Sequence, residues 1–97
     1  MTINSKTKQV LKGLAHSFKP IIIIGKDGLS EGTIDSIKKA LEHRELIKIK
    51  FNSLKDEKKI ISKKIEQVCN AFIISIIGNT LILFKQNPDL EKRKIKI

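Results

Sequence analysis

The sequence predicts an α/β protein in the order αβαβαββ, a four-stranded mixed sheet packed with three helices. Three observations predict it. Segments with apolar residues three and four apart alternate with short β-branched runs, as helices alternate with strands. Ile47, Ile49 and Phe51 interleave with Lys48 and Lys50, the period of a half-buried strand. Near the end, Gly78-Asn79 separates two apolar runs, the mark of a two-residue hairpin.

The elements follow in turn. Asn4 is a candidate N-cap for a first helix whose apolar face is Leu11, Leu14, Ala15 and Phe18. Pro20 ends it, because the residue before a proline avoids the helical region. Ile21 to Ile24 reads as a short strand buried on both faces. Gly25-Lys26-Asp27-Gly28 is a turn, and Ser30 caps a second helix with Ile34, Ile37 and Leu41 inward. Leu29 and Ile34 occupy the positions of a hydrophobic staple. After the Lys48/Lys50 strand comes a third helix, with Ile61, Ile65 and Val68 inward. Strands from Phe72 and from Leu81 close the chain as an antiparallel hairpin. The first two strands are expected to be parallel, joined by a right-handed crossover. The domain is expected over residues 1–85, with residues 86–97 a mobile basic tail.

Ninety-seven residues with a 40% hydrophobic share, 19 of them isoleucine, suffice for one aliphatic core without a metal or disulfide. The single cysteine, Cys69, has no partner and no neighbour at metal-ligand spacing. Met1 to Val10 lacks the apolar run of a secretion signal, and Ala71 to Ile77, the longest apolar stretch, is far short of the ~20 residues a membrane helix needs. The expectation is a cytoplasmic monomer with no cofactor, metal or small-molecule substrate, not attached to a membrane.

Charge narrows the partner. Twenty Lys and Arg oppose ten Asp and Glu, and residues 1–19 hold four lysines and no acid. Such a field attracts polyanions, nucleic acid above all. Lysine-rich, isoleucine-rich usage accounts for Lys over Arg, but not for the two-to-one excess of basic over acidic groups. Gly25, Lys26, Asp27 and Gly28 form a candidate contact loop: two glycines let backbone approach a phosphate, and Lys26 adds charge. The plainer reading is that the glycines only close a turn, and Asp27 and Glu31 oppose an anion there. The ending of a nucleotide-binding P-loop is missing. Lys8, Lys12 and His16 make a stripe beside the first helix's apolar face, followed by Lys19. Lys48 and Lys50 leave one face of a strand, where the competing explanation is edge protection by lysine. Lys55, Lys58, Lys59, Lys63 and Lys64, mixed with Asp56, Glu57 and Glu66, read as a solvated face. No nucleophile–base pair is visible, so the chain is read as a non-enzyme. With no Trp or Tyr, and with Phe18, Phe51 and Phe72 fitting core positions, binding is expected to rest on phosphate and shape contacts.

The runs Lys8-Gln9-Val10-Leu11-Lys12-Gly13-Leu14-Ala15-His16, Lys19-Pro20 and Ile24-Gly25-Lys26-Asp27-Gly28-Leu29-Ser30 resemble the CRM domain (chloroplast RNA splicing and ribosome maturation). So do Ala40 to Lys50 and Ile77 to Lys85. As a free-standing chain of this length it is similar to the family's bacterial YhbY-type members, over about residues 4–85. The resemblance implies a fold like the C-terminal domain of translation initiation factor three, and RNA binding with the GxxG loop at the RNA surface. It implies rRNA in precursors of the large ribosomal subunit as partner, and so a role in ribosome biogenesis. Phe84-Lys85 stands where the family often has Tyr-Arg, so a hydroxyl and a guanidinium fork are missing. The alternatives are a protein–protein adaptor on the ribosome and a splicing-type RNA chaperone.

Overall fold

A computed structural model describes residues 3–97, so Met1 and Thr2 of the expected domain lie outside the described residues. The order is α1 (Ser5–Ala15), β1 (Ile22–Ile24), α2 (Glu31–Arg44), β2 (Leu46–Phe51), α3 (Lys58–Cys69), β3 (Phe72–Ile77) and β4 (Thr80–Phe84). Short 3₁₀ turns lie at Lys55–Glu57 and Leu90–Lys92. The sheet runs β1-β2-β4-β3. β1 pairs parallel with β2, while β2–β4 and β3–β4 are antiparallel, so the αβαβαββ mixed sheet is the observed fold.

Local chemistry sets the boundaries. Asn4 Oδ1 accepts from Thr7 N at 2.8 Å, and Ser30 Oγ accepts from Thr33 N at 3.1 Å, so both expected caps form. α3 ends at Asn70, whose left-handed backbone (φ 54°) suits a short amide side chain. Gly78 takes φ 58° in the β3–β4 hairpin, as a tight turn requires.

The sheet divides two cores. α2 and α3 cover one face, where Ile37, Leu41 and Ile65 meet Ile47, Ile49, Phe51, Leu81 and Leu83. α1 covers part of the other face, where Leu11 and Ala15 meet Leu46, Ile74, Ile82 and Phe84. One short helix cannot roof four strands, and an exposed strip of sheet remains beside it.

Several expectations give way here. β1 is an edge strand rather than a doubly buried one, and Ile23 is 57% exposed on the α1 side. A β-branched run favours any strand and does not say where in the sheet it sits. Leu14 and Phe18 are exposed, because the helix stops at Ala15 and only Leu11 and Ala15 meet the sheet. In α3 the buried line is Ser62, Ile65 and Cys69, with Ile61 half-buried and Val68 exposed. Among the phenylalanines the fully buried pair is Phe51 and Phe84, and Phe72 is half-buried.

The segment read as a mobile tail lies against the domain. Glu45, fully buried at the C-cap of α2, receives it. Glu45 Oε2 accepts from Asn87 N (2.7 Å), and Oε1 accepts from Lys94 N (2.6 Å) and Ile95 N (3.0 Å). Arg93 Nε donates to Asn87 O at 2.8 Å, closing the loop on itself, and Ile95 packs on the α1-side core. Burial alone would raise the Glu45 pKa. The three backbone donors and the nearby Arg93 charge outweigh it and hold the carboxyl below its ordinary range.

Candidate nucleic-acid interface

The glycine turn sits where β1 ends. Gly28 N donates to Gly25 O at 3.0 Å, and Gly28 has φ 67°. Behind it, Asn52 N and Ser53 N donate to Ile24 O, and a Cβ at Gly28 would stand 3.3 Å from Leu54 Cδ1. Gly28 therefore has a structural reason to be glycine. Gly25 does not share it: its φ is not positive, and a Cβ there would meet nothing within 4 Å. Gly25, Lys26 and Asp27 are exposed and Gly28 is half-buried. The β3–β4 hairpin joins this end of the sheet, with Phe51 N donating to Asn79 O at 2.8 Å. Lys58, read as part of a solvated face, holds the hairpin by donating to Gly78 O at 2.6 Å and Asn79 Oδ1 at 3.3 Å.

The uncovered strip runs back from that turn. Ile23 pairs in register with Lys50, and Lys50 with Thr80, so these side chains share the α1 side of the sheet. Lys48 pairs with Ile82 of the α1-side core and lies on the same face. Its Nζ donates to His16 O at 3.2 Å, at the C-terminal end of α1. β2 lies between β1 and β4, so Lys48 and Lys50 are on an interior strand and cannot be there to guard an edge. Lys12 and Lys19 are exposed and Lys8 is half-buried. Lys8 and Lys12, one turn apart, flank the Leu11–Ala15 line on the helix that roofs this same face.

The structure thus brings Lys19, Lys48, Lys50 and the Gly25–Gly28 turn along the β1–β2 pair. Among the described residues the side-chain ion pairs are Lys39–Asp35 and Lys63–Glu66, both outside this region. Lys8, Lys12, Lys19, Lys26, Lys48 and Lys50 carry uncompensated charge. Glu66, also read as solvated, instead accepts from Ile73 N at 2.7 Å and takes no part in the interface.

Among the described residues no group of three His, Cys, Asp or Glu side chains could hold a metal ion, and no helix is long and apolar enough to cross a membrane. Cys69 is buried, and burial pushes its thiol pKa up against the opposing charges of Lys38 and Lys85.

These features define a small α/β domain with one half-covered, lysine-bearing sheet face that ends in an exposed glycine turn. The CRS1 / YhbY (CRM) domain matches residues 3–85, and the chain belongs to that family. A Haemophilus influenzae protein named "RNA-binding protein" is 37% identical over 97 residues, covering 99% of this chain and 95% of that one. The Bacillus subtilis "Probable RNA-binding protein YqeI" is 31% identical, covering 90% and 92%. The solution structure of a Staphylococcus aureus hypothetical protein, described as a candidate RNA binder, superposes with TM-score 0.80 at 28% identity, covering 98% of this chain and all of that one.

Proposed function

We propose that this protein binds RNA without catalysing a reaction on it, and that it serves assembly of the large ribosomal subunit by docking on rRNA in the cytoplasm. The observation that carries the reading is the row of uncompensated lysines on an interior strand and adjoining elements, leading to a turn with a sterically open Gly25. Lys48 ties down the end of α1 through His16 O, but Lys50 on the same face has no hydrogen-bond or ion-pair partner among the described residues, and neither lysine meets an acid, whereas a polymer of phosphates neutralises both. Lys8, Lys12, Lys19, Lys26, Lys48 and Lys50 supply the charge, and the Gly25–Gly28 backbone meets the sugar–phosphate chain from the Lys26 side. The protein acts as a monomer, and specificity comes from the shape of the folded RNA.

The test is filter binding to pre-ribosomal RNA across a salt series. Six lysine–phosphate contacts imply a slope of log K against log salt of roughly −4, a loss of about two orders of magnitude for a fourfold rise in salt. An affinity indifferent to salt refutes the phosphate mechanism. Gly25→Asp fits the fold and puts a charge at the contact, so it should weaken binding with the thermal midpoint unchanged. Unchanged affinity clears the loop. Association with ribosomal particles that survives nuclease treatment would mean a protein adaptor instead.

A further inference from the structure

Phe18 lies just past the end of α1, where the helix no longer carries it onto the sheet. The residue is 41% exposed, although the other three phenylalanines are buried or half-buried. The segment that carries it is nevertheless pinned. Phe18 N donates to Ala15 O at 2.9 Å, Lys48 Nζ reaches His16 O at 3.2 Å, and Ile21 N donates to Lys48 O at 3.1 Å. The ring is presented by a fixed loop.

Phe18 lines a groove with Ile21, also exposed, as its accessible apolar partner, and the buried Leu46 and Ile47 at its base. Its remaining walls are Lys19, His43, Arg44, Lys48, Lys94 and Ile95. Among the described residues, none with a carboxylate side chain lines it. Glu45, adjacent in sequence to two of these residues, is fully buried and engaged by the amides of Asn87, Lys94 and Ile95. The same clasp places Lys94 and Ile95, so the docked tail builds one wall.

The geometry points to this groove as a binding site for an unpaired nucleotide, its base stacked on Phe18 and its phosphates held by Lys19, Arg44, Lys48 and Lys94. An aromatic face ringed by cations, without acids, matches the two halves of a nucleotide, a flat π surface and a negative backbone. The site also lies on the path of the proposed interface. Ile21 and Gly25 stand at opposite ends of β1, about 13 Å apart along an extended strand. One RNA strand spans both, so the face reads single-stranded as well as folded RNA. The inference rests on the RNA-binding reading and adds a base contact to it.

Fluorescence anisotropy with a labelled single-stranded RNA decamer and with the same decamer annealed to its complement is the experiment. Phe18→Ala and Phe18→Leu should each lower single-strand affinity by about tenfold, Phe18→Trp should preserve or strengthen it, and duplex affinity should stay level. The leucine variant keeps apolar bulk without a stacking face, and each variant's thermal midpoint is measured alongside. A decamer carrying 4-thiouridine should crosslink under ultraviolet light to the peptide containing Phe18. The inference falls if wild type binds the decamer with salt-sensitive affinity while both variants stay within twofold and no crosslink maps there. It falls too if duplex affinity drops equally, or if an acidic peptide competes as well as RNA. If wild type binds neither RNA form at low salt, the proposed function falls with it.

Discussion

Replacing Glu45 with Gln should release the C-terminal segment from the domain. The carboxylate accepts three backbone N–H groups at 2.6–3.0 Å. Glutamine keeps one oxygen, which can still serve Lys94 and Ile95. Its amide nitrogen then faces Asn87 N, donor against donor. One charge-assisted bond is lost outright, the others lose their charge, and Arg93 loses its counter-charge. A hydrogen bond to a charged group contributes ~1.5–3 kcal/mol, so the docked segment should lose about 2–3 kcal/mol. The loss is borne locally, since the tail meets the α1-side core through Ile95, whereas the pairing of Ile49 with Leu81 lies within the sheet. Amide exchange by NMR is the assay, read at Asn87, Lys94 and Ile95, whose protection should fall by roughly 30- to 150-fold while Ile49 and Leu81 keep theirs. The pH dependence has a fixed sign. The folded Glu45 pKa lies below its ordinary value, so its stabilisation is complete above the unfolded pKa of about 4.3 and is lost as pH falls through the folded value. Wild type and Glu45→Gln should therefore differ at neutral pH and converge in acid. Equal protection of the three amides at neutral pH in the two proteins would refute the clasp.

Three further outcomes follow from buried groups and backbone strain. Ser62 Oγ is buried in α3 without a hydrogen-bond partner, so Ser62→Ala should raise stability, by about 1 kcal/mol in urea denaturation. Cys69 should resist a thiol reagent in the native protein and react fully in denaturant, because it is buried and its pKa is raised; rapid native labelling would contradict both. Gly28→Ala should cost about 1–2 kcal/mol for its positive φ, with the Leu54 contact adding to it, whereas Gly25→Ala should be nearly neutral; equal thermal shifts for the two would count against the assigned turn.

What the sequence discloses is whatever depends on near neighbours. Asn4 and Ser30 cap because their side chains reach an amide three residues on, and the Ile47–Phe51 alternation needs only the pleat. The hairpin turn and the parallel β1–β2 pair follow from turn chemistry and the intervening helix. What it hides is set by distant partners. The face of α3 takes in Ser62 and leaves Val68 out, because helix packing buries small residues as readily as β-branched ones. Phe18 fits the helical period but lies beyond the helix, so the spacing that suggested a core residue marked an exposed one. The lysine row was visible as charge, and its members on the interior strand were assigned to one face correctly. Their distinction from edge guards needed the strand order. Glu45 is the largest omission: a lone acid between Arg44 and Leu46 gives no sign that it will be buried against amides some fifty positions away.

The two open edges of the sheet bear on what the lysines are for. A free strand edge invites pairing with another chain, and proteins blunt it by brevity, bulges, charge or a cover. β1 has three residues, too few to template a stable partner. β3 carries an irregular register between Ile73 and Ser75, and Glu66 from α3 takes up the amide of Ile73. Both edges are handled by devices that do not involve Lys48 or Lys50. The face these lysines occupy is also the one that a single helix leaves partly bare, where Ile23 and Ile77 remain exposed. A fold selected for stability alone would gain by roofing those isoleucines or pairing those charges with acids from α1, yet the described part of α1 contains neither Asp nor Glu. A surface kept open, apolar in its strands and cationic along its lysines, is costly to a free protein and complementary to a nucleic acid, and that conjunction is what ties the architecture to binding.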